Sequence, residues 1–253
     1  MTADALFETD DGRPIPAVTT DGMREVDRVA VETVGLGLLQ MMENAGRTLA
    51  GFVRALTDDS VFVLVGDGGN GGGGLCAARH LANHGREVHV GLDRPSAELT
   101  GAAATQYRIL QGTDATMVTD HGTDENTEDG GDHGSESLGL DDAGVVVDAV
   151  IGYGLTGVPR GRAREHIDEC NRTATPVLSL DVPSGVDATT GEQPGVAVDA
   201  DHTLTLALPK TGLAGQPNLW LADIGLPRAV YRHVGIDYEQ PFAGRERVRL
   251  VTA

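Results

Sequence analysis

The sequence predicts an α/β fold: a three-layer αβα sandwich, Rossmann-like, with a mostly parallel sheet and two N-terminal helices. Short apolar runs alternate along the chain with segments of helical periodicity, a pattern typical of parallel strands that helices cover on both faces. The first apolar run, Val61 to Val65, also ends in a tract that is nearly all glycine, and a helical segment follows it. Strand, glycine turn and helix together favour a phosphate ligand, because glycine lets the backbone come close and the helix N-terminus attracts anions.

The first half of the chain is expected to begin with a loose arm over residues 1–18. Thr19, Thr20 or Asp21 can cap the first helix, and apolar residues at helical spacing predict a second one. The helix after the glycine tract is predicted to end at Asn83-His84-Gly85, since glycine commonly terminates helices. The predicted elements are helices over 20–34 and 37–56, a strand over 61–65, a helix over 73–84, a strand over 87–92, a helix over 96–111 and a strand over 115–118.

The second half opens with residues 119–143, which are acidic, rich in glycine and poor in apolar side chains. Such a composition cannot form a core, so the segment is interpreted as an acidic surface insertion. The remaining predicted elements are a strand over 145–147, a helix over 162–171, strands over 177–180 and 203–207, a closing strand over 218–222 and a tail over 237–253. Residues 1–253 are interpreted as one domain.

The composition indicates an acidic protein adapted to a high-salt environment. The net charge is −19, the sequence pI is near 4.6, and Lys210 is the only lysine. This pattern favours adaptation to high salt, because multimolar salt screens like charges beyond about 3 Å. The charge argues against nucleic acid or an anionic membrane as a partner. The sequence shows neither the features of a signal peptide nor a run of about 20 apolar residues, so a cytoplasmic location is expected.

Polar side chains follow several predicted strands. Asp148 and Asp181 each end an apolar strand, while Asn70 and Ser184 lie in neighbouring turns. Because the carboxyl ends of parallel strands meet at one edge, these residues and Lys210 are expected to converge on one crevice. Their oxygens suit a hard cation, and either carboxylate suits acid/base chemistry; the alternative is that each aspartate caps the next turn.

A dinucleotide-binding interpretation is also open. Gly66, Gly68 and Gly71 satisfy the GxGxxG pattern, and Asp93 lies where the ribose-binding acid of such a fold would sit. This pattern is compatible with an NAD-dependent oxidoreductase. That class, however, explains neither Asp148 nor the segment from Asp181 to Gly185.

Six segments resemble, in order and spacing, motifs of the YjeF N-terminal domain family, the NAD(P)H-hydrate epimerases. The resemblance covers roughly residues 20–236. The segments are Met42 to Gly46 (LMENAG), Gly66 to Leu75 (GxGNNGGDGL), Val147 to Leu155 (VDALFGTGL), Leu180 to Asp187 (DIPSGLDAD), Ala207 to Leu213 (ALPKxGL) and Ala222 to Pro227 (VADIGIP).

The resemblance implies a function and a set of site residues. The function is R-to-S epimerisation at C6 of the hydrated nicotinamide ring of NADHX and NADPHX, by a homodimer that supplies a separate dehydratase. Asp181 would be the acid/base group, and Asn70, Asp148 and Ser184 would hold K⁺. Substrate contacts are implied for Gly69, Asn70, Gly71, Gly72, Gly73, Gly152, Tyr153, Gly154, Leu155, Thr156, Gly157, Val158, Asp181 and Lys210.

The chain departs from the family pattern at two positions. Gly69 stands where the motif has its first asparagine, and Gly73 stands where it has aspartate. A catalytically weakened or inactive paralogue that acts as a nucleotide-binding or scaffold protein is therefore the alternative function. Lys210 is expected to contact a phosphate or to pair with an aspartate, and the alternative is a surface lysine without a role.

Overall fold

The computed structural model describes residues 6–118 and 138–253 of the chain. Within these ranges the order of strands and α-helices is β1 (Phe7–Thr9), β2 (Pro14–Ile15), α1 (Thr20–Arg28), α2 (Leu38–Leu56), β3 (Val61–Val65), α3 (Gly69–Asn83), β4 (Val88–Leu92), α4 (Gly101–Leu110), β5 (Thr116–Val118), β6 (Val145–Ala149), α5 (Gly161–Cys170), β7 (Val177–Leu180), β8 (His202–Leu206), β9 (Leu219–Ala222), α6 (Arg228–His233) and β10 (Arg247–Thr252).

These strands form one sheet in the order β2-β1-β10-β9-β8-β7-β6-β3-β4-β5. The strands from β9 to β5 in this order pair in parallel, whereas β10, β1 and β2 add an antiparallel edge. The chain order reverses between β3 and β6, because β4 and β5 extend the sheet to one side and β7 to β9 to the other. In an open α/β sheet a ligand crevice forms at this reversal, outside the carboxyl ends of the strands.

Helices cover both faces of the parallel sheet because its strands are apolar on both sides. Val61, Val63 and Val65 of β3 belong to a core cluster that also contains side chains of α2 and α3. Phe62 and Leu64 point to the opposite face, where they share a cluster with side chains of α5. The three-layer fold with a mostly parallel sheet, predicted from the sequence, is confirmed.

The two ends of the described chain differ from the prediction. Where a loose arm is expected, β1 and β2 form, and Phe7 and Ile15 are fully buried. Where a tail is expected over 237–253, β10 inserts between β1 and β9, so the strand over 218–222 does not close the sheet. The arm strands are only 3 and 2 residues long, too short for a periodic pattern to indicate them.

Three internal boundaries also differ. The helix expected over 73–84 begins at Gly69, because the Gly72 amide already donates to the Gly68 carbonyl at 3.0 Å. The first helix is α-helical only to Arg28 and continues as a π-helical segment, Val29–Val34. Of the acidic insertion, residues 119–137 lie outside the described residues, while Leu140 in its last part is buried in a 3₁₀ turn. No helix in the described ranges is long and apolar enough to cross a membrane.

Candidate functional site

A cavity of about 640 Å³ opens at the carboxyl ends of the parallel strands, where the chain order reverses. Its walls come from α1, α2, the glycine turn after β3 and the loops after β4, β6, β7 and β8. A volume of this size lies within the range of small-molecule and cofactor sites. Its polar and charged lining side chains are Arg24, Asp27, Asp67, Asn70, Asp93, Arg94, Tyr153, Asp181 and Lys210.

The glycine tract brings the start of α3 against the turn that follows β3. A Cβ at Gly71 would lie 1.7 Å from the Gly66 carbonyl oxygen, and a Cβ at Gly66 would lie 2.1 Å from the carbonyl oxygen of Val150. No side chain caps α3, because its N-cap is Gly68, and Gly68 and Gly69 line the cavity. A bare helix N-terminus in a cavity favours an anionic group such as phosphate.

Asp181 follows β7 in an uncommon backbone conformation, with φ at 68°. Its side chain is buried, and Oδ2 accepts the Tyr153 amide at 3.2 Å. Oδ1 accepts a hydrogen bond from Lys210 and the Leu206 amide at 3.3 Å. A left-handed φ costs a non-glycine residue about 1–3 kcal/mol, and such strain clusters at functional sites.

Lys210 is the ion-pair partner of Asp181 and is fully buried. Besides Asp181, its ammonium contacts the Leu206 carbonyl oxygen at 3.0 Å and Thr205 Oγ1 at 3.3 Å. An ammonium group has three protons, so these contacts use all of its donors within the protein. Of the two roles expected for Lys210, the geometry favours the pair with an aspartate over a phosphate contact.

A second carboxyl group, which the sequence does not single out, reaches the cavity from α1. The Tyr153 hydroxyl donates to Asp27 Oδ2, while the amide of the same tyrosine donates to Asp181. Burial raises the pKa of Asp27 above its usual range, although the Tyr153 hydrogen bond and the Lys210 charge lower it in part. Burial and the Asp27 charge raise the pKa of Tyr153, so its hydroxyl remains a donor. Two carboxyl groups therefore stand at opposite ends of Tyr153, one ion-paired and one with a raised pKa.

Asn70 and Asp181 converge beside Gly152. A Cβ at Gly152 would lie 3.2 Å from both Asn70 Oδ1 and Asp181 Oδ2. Both polar atoms of the Asn70 amide are buried and lack a hydrogen-bond partner among residues 6–118 and 138–253. An unpaired buried amide costs about 1–3 kcal/mol, so Asn70 is a candidate to hydrogen-bond a ligand, an ion or an ordered water.

Asp148 and Ser184 are fully buried next to this region but do not line the cavity. The Asp148 carboxylate accepts hydrogen bonds from the Ser184 hydroxyl, the Ser184 amide at 2.9 Å, the Ser179 hydroxyl at 2.7 Å and the Val150 amide at 3.3 Å. Burial raises the pKa of Asp148, and these donors lower it in part. All four donors are neutral, so these contacts leave the negative charge of the ionised form uncompensated.

The cavity includes only part of the implied substrate set. Its lining contains Gly69, Asn70, Gly73, Gly152, Tyr153, Gly154, Asp181 and Lys210. It does not contain Gly71, Gly72, Leu155, Thr156, Gly157 or Val158, and the last three of these are exposed. Val158 is 47% exposed, so this stretch of loop lies at the surface.

Glu43, Cys76 and His80 form a separate cluster, with potential metal-binding atoms within 4.8 Å of one another. The guanidinium of Arg79 lies among them: it is ion-paired with Glu43 and 3.3 Å from the Cys76 sulfur. Burial also raises the pKa of the Cys76 thiol to about 12, which keeps it protonated. The arrangement is therefore an ion-pair network between α2 and α3.

Comparison with known proteins identifies relatives of this chain. Residues 38–212 match the family model described as YjeF-related protein N-terminus. The chain is 44% identical to an NAD(P)H-hydrate epimerase of Dehalogenimonas lykanthroporepellens, over 98% of both chains. It is 35% identical to a protein of the same name from Rhodopirellula baltica, over 78% of this chain and 77% of that one.

Two further comparisons concern a longer relative and the fold. The chain is 37% identical to a bifunctional NAD(P)H-hydrate repair enzyme Nnr of Salinibacter ruber over 84% of its own length, which spans 41% of that protein. The crystal structure of yeast ynu0 superimposes with a TM-score of 0.76 at 24% identity, covering 93% of this chain and 100% of that one. The yeast structure supports the fold.

Proposed function

The chain belongs to the YjeF-related protein N-terminus family, and from this premise we propose that it is an NAD(P)H-hydrate epimerase. It converts the R form of NADHX or NADPHX to the S form at C6 of the hydrated nicotinamide ring. The observation that carries this proposal is the cavity in which the strained, ion-paired Asp181 and the carboxyl group of Asp27 are joined through Tyr153. The two relatives of similar length that bear this activity in their names support it.

The reaction needs acid/base chemistry and no change of oxidation state. C6 of the hydrate carries a hydroxyl group next to the ring nitrogen. When that hydroxyl is protonated, the C6–O bond breaks, water leaves and the nitrogen lone pair forms a C6=N⁺ bond. A water molecule then adds to the opposite face of C6 and gives up a proton, which inverts the centre. One group must donate a proton and another must accept one.

We assign the proton acceptor to Asp181 and the proton donor to Asp27. Asp181 is the ion-pair partner of Lys210, and its Oδ2 accepts one amide within the protein, which leaves a lone pair for the incoming water. Burial favours the protonated form of Asp27. An acid/base pair needs one protonated and one ionised carboxyl group, and here Asp181 is ion-paired with Lys210 while burial raises the pKa of Asp27. After each turnover Asp27 has lost a proton and Asp181 has gained one. Proton exchange with solvent, or the reverse reaction, restores the original protonation states.

Substrate is held by the start of α3 and by Asn70. The bare N-terminus at Gly68 and Gly69 faces the pyrophosphate of the cofactor, while the unpaired amide of Asn70 hydrogen-bonds to the substrate or an ion beside Asp181. Gly152 is required because a side chain there would crowd Asn70 and Asp181. Gly73 and Gly154 line the same cavity. For Gly71, Gly72 and residues 155–158, substrate contact stays a prediction.

A potassium ion fits the residues that the family resemblance assigns to it. Asn70 offers an unpaired amide oxygen, Asp148 is a buried carboxylate with neutral partners only, and Ser184 adds a hydroxyl and a carbonyl. All these donors are oxygens, which hard cations prefer. When bound, the ion would supply a fixed positive charge beside the carboxyl groups of the site.

The potassium proposal can be tested without activity. The thermal unfolding midpoint is measured in KCl and in tetramethylammonium chloride at equal ionic strength. Specific binding of K⁺ raises the midpoint in KCl, since a ligand at 100 times its Kd adds about 2.7 kcal/mol to the free energy of unfolding. Asn70→Ala should remove the difference, whereas Asn218→Ala, a control outside the cavity, should keep it. Equal midpoints in the two salts for the unaltered protein would disprove specific binding.

The epimerase proposal is tested with purified R-NADHX in multimolar KCl, coupled to a dehydratase specific for the S form. Turnover above the spontaneous rate is expected. Asp181→Asn and Asp27→Asn should each lower it at least about 100-fold, the usual contribution of a general acid or base. Both variants are first checked for native circular dichroism. A folded, unaltered protein that binds the cofactor hydrate without turnover would instead support the scaffold alternative.

The homodimer expected from the family is a further proposal. Val31, Leu38 and Leu39 are between 43% and 49% exposed at the junction of α1 and α2. Large exposed apolar side chains in one region are typical of contact surfaces. Light scattering should give a dimer for the unaltered protein and a monomer for Leu39→Glu. Cytoplasmic localisation and the link to a separate dehydratase stay predictions.

A further inference from the structure

We propose that Asp93, Arg94 and Asp67 form the subsite for the adenosine ribose of the substrate, and that this subsite selects a free 2′-hydroxyl over a 2′-phosphate. The chain would therefore act on NADHX in preference to NADPHX. The inference rests on the proposed function, which supplies a dinucleotide as the substrate.

The first argument is the place of Asp93 in the sheet. It is the first residue after β4, and its amide donates to the Val65 carbonyl at 2.9 Å, so it lies directly beside the glycine turn. β4 pairs in parallel with β3, on the far side of β3 from β6. In doubly wound sheets of this order, the pyrophosphate lies at the first helix N-terminus and an acid after the second strand binds the ribose. Asp93 occupies the second of these positions and the start of α3 the first.

The second argument is that the polar groups are already assembled in the cavity. Arg94 Nε lies 2.8 Å from Asp93 Oδ1 and Nη2 lies 3.1 Å from Asp93 Oδ2, a bidentate pair. Arg94 Nη1 lies 3.4 Å from Asp67 Oδ2, and Asp67 Oδ1 accepts the Thr100 amide at 2.6 Å. All three charged residues line the cavity, where the Asp93 side chain is 7% exposed and that of Arg94 is 37% exposed. A site held in this way is preorganised for a ligand.

The balance of charge sets the preference. Two carboxylates face one guanidinium, so the cluster carries a net negative charge. A ribose 2′-hydroxyl can donate to Asp93 and accept one of the two guanidinium protons of Arg94 that these contacts leave unused. A 2′-phosphate could accept the same two protons, but it would lie beside the carboxylates of Asp93 and Asp67, and their like charges repel it. The apolar side chains of Val150, Ile151 and Ala163 line the same cavity and suit the adenine ring.

The test compares kcat/KM for R-NADHX and R-NADPHX in the unaltered protein and in Asp93→Asn. The unaltered protein should favour R-NADHX by about tenfold or more, because a hydrogen bond to a charged group contributes about 1.5–3 kcal/mol. Asp93→Asn should reduce this preference by about tenfold, mainly through KM, because it removes a charge that repels the phosphate. The matched control is Asp58→Asn, which removes the acid of an Arg–Asp pair outside the cavity whose carboxylate is 97% exposed. The preference of the Asp58→Asn variant for R-NADHX over R-NADPHX should equal that of the unaltered protein.

A binding measurement separates failure of the subsite from failure of the proposed function. Calorimetry with ADP-ribose and with 2′-phospho-ADP-ribose tests the subsite without any turnover. Tighter binding of ADP-ribose, weakened in Asp93→Asn and not in Asp58→Asn, supports the proposal even if the chain epimerises neither hydrate. Equal affinity for the two probes, or a loss in Asp93→Asn that is equal for both, overturns it.

Discussion

The buried ion pair between Lys210 and Asp181 gives the sharpest stability prediction. The two side chains are 1% and 5% exposed, so Lys210→Met leaves a carboxylate buried without its cation. It also removes a donor from the Leu206 carbonyl. Breaking one partner of a buried pair costs about 3–5 kcal/mol. For a chain of this length, that loss corresponds to a fall of about 6–20 °C in the unfolding midpoint.

The double variant Lys210→Met with Asp181→Asn distinguishes loss of the charge balance from loss of packing. Because neither position of the pair then carries a charge, we expect the free energy of unfolding to lie within about 1–2 kcal/mol of the unaltered protein, the cost of imperfect hydrogen bonds to the Tyr153 and Leu206 amides. Both variants should lack epimerase activity. Urea unfolding followed by circular dichroism measures all the free energies of the cycle.

The control is Arg28→Met, which removes exposed ion pairs with Glu25 and Glu32. Exposed pairs contribute little and are screened by salt, whereas a buried pair is not. The loss of unfolding free energy in Lys210→Met should therefore persist in multimolar KCl. The loss in Arg28→Met should be small in dilute salt and smaller still in multimolar KCl. The reasoning is refuted if Lys210→Met is no less stable than the control, or if the double variant is as unstable as the single one.

Four further predictions follow from the same structure. Asp27→Asn should gain stability relative to the unaltered protein as pH rises. Burial raises the pKa of Asp27, so the stability contributed by its protonated form is lost as pH rises through that pKa. A difference in unfolding midpoint between the two proteins that stays constant across pH would contradict this. Tyr153→Phe removes a hydrogen bond that lowers the pKa of Asp27. Because Asp27 is the proposed proton donor, the alkaline limb of the pH profile of kcat should move to higher pH; a limb that stays in place would contradict this. Gly71→Ala should prevent native folding because its Cβ would overlap the Gly66 carbonyl, whereas Gly69→Ala, with nothing within 4 Å, should keep native circular dichroism. The unfolding midpoint should rise from dilute to multimolar KCl because the net charge is −19; a flat dependence would speak against salt adaptation.

The parallel sheet and one side of the site could be predicted because they depend on local patterns. The strands β3, β6 and β7 are short apolar runs, and Asp148 and Asp181 mark the carboxyl ends of two of them. Parallel pairing in register then brings those ends to one edge. That rule alone predicts that Asn70, Asp148, Asp181 and Lys210 gather there.

The other side of the site could not be predicted, because it depends on distant contacts. Asp27 lies four residues after Met23 and three before Ala30, so its spacing places it beside the apolar face of α1, but that spacing does not show which residue it contacts. Only its contact with Tyr153, 126 residues further along the chain, brings it to the cavity. The same limit applies to β1 and β10, which pair across nearly the whole length of the chain. That residues 119–143 form an acidic surface insertion stays a prediction.

The two departures from the family motif differ in physical meaning, and neither removes a proposed proton-transfer group. A side chain at Gly69 would extend into open space, since nothing lies within 4 Å of its Cβ position. At Gly73 a Cβ would lie 2.8 Å from Cδ2 of Leu180, a fully buried core side chain, so a side chain there would require Leu180 to shift. The proposed donor and acceptor, Asp27 and Asp181, come from α1 and from the end of β7. The proposed proton transfers are therefore separable from the glycine loop, for which we propose ligand binding, by the bare N-terminus of α3 and by Asn70.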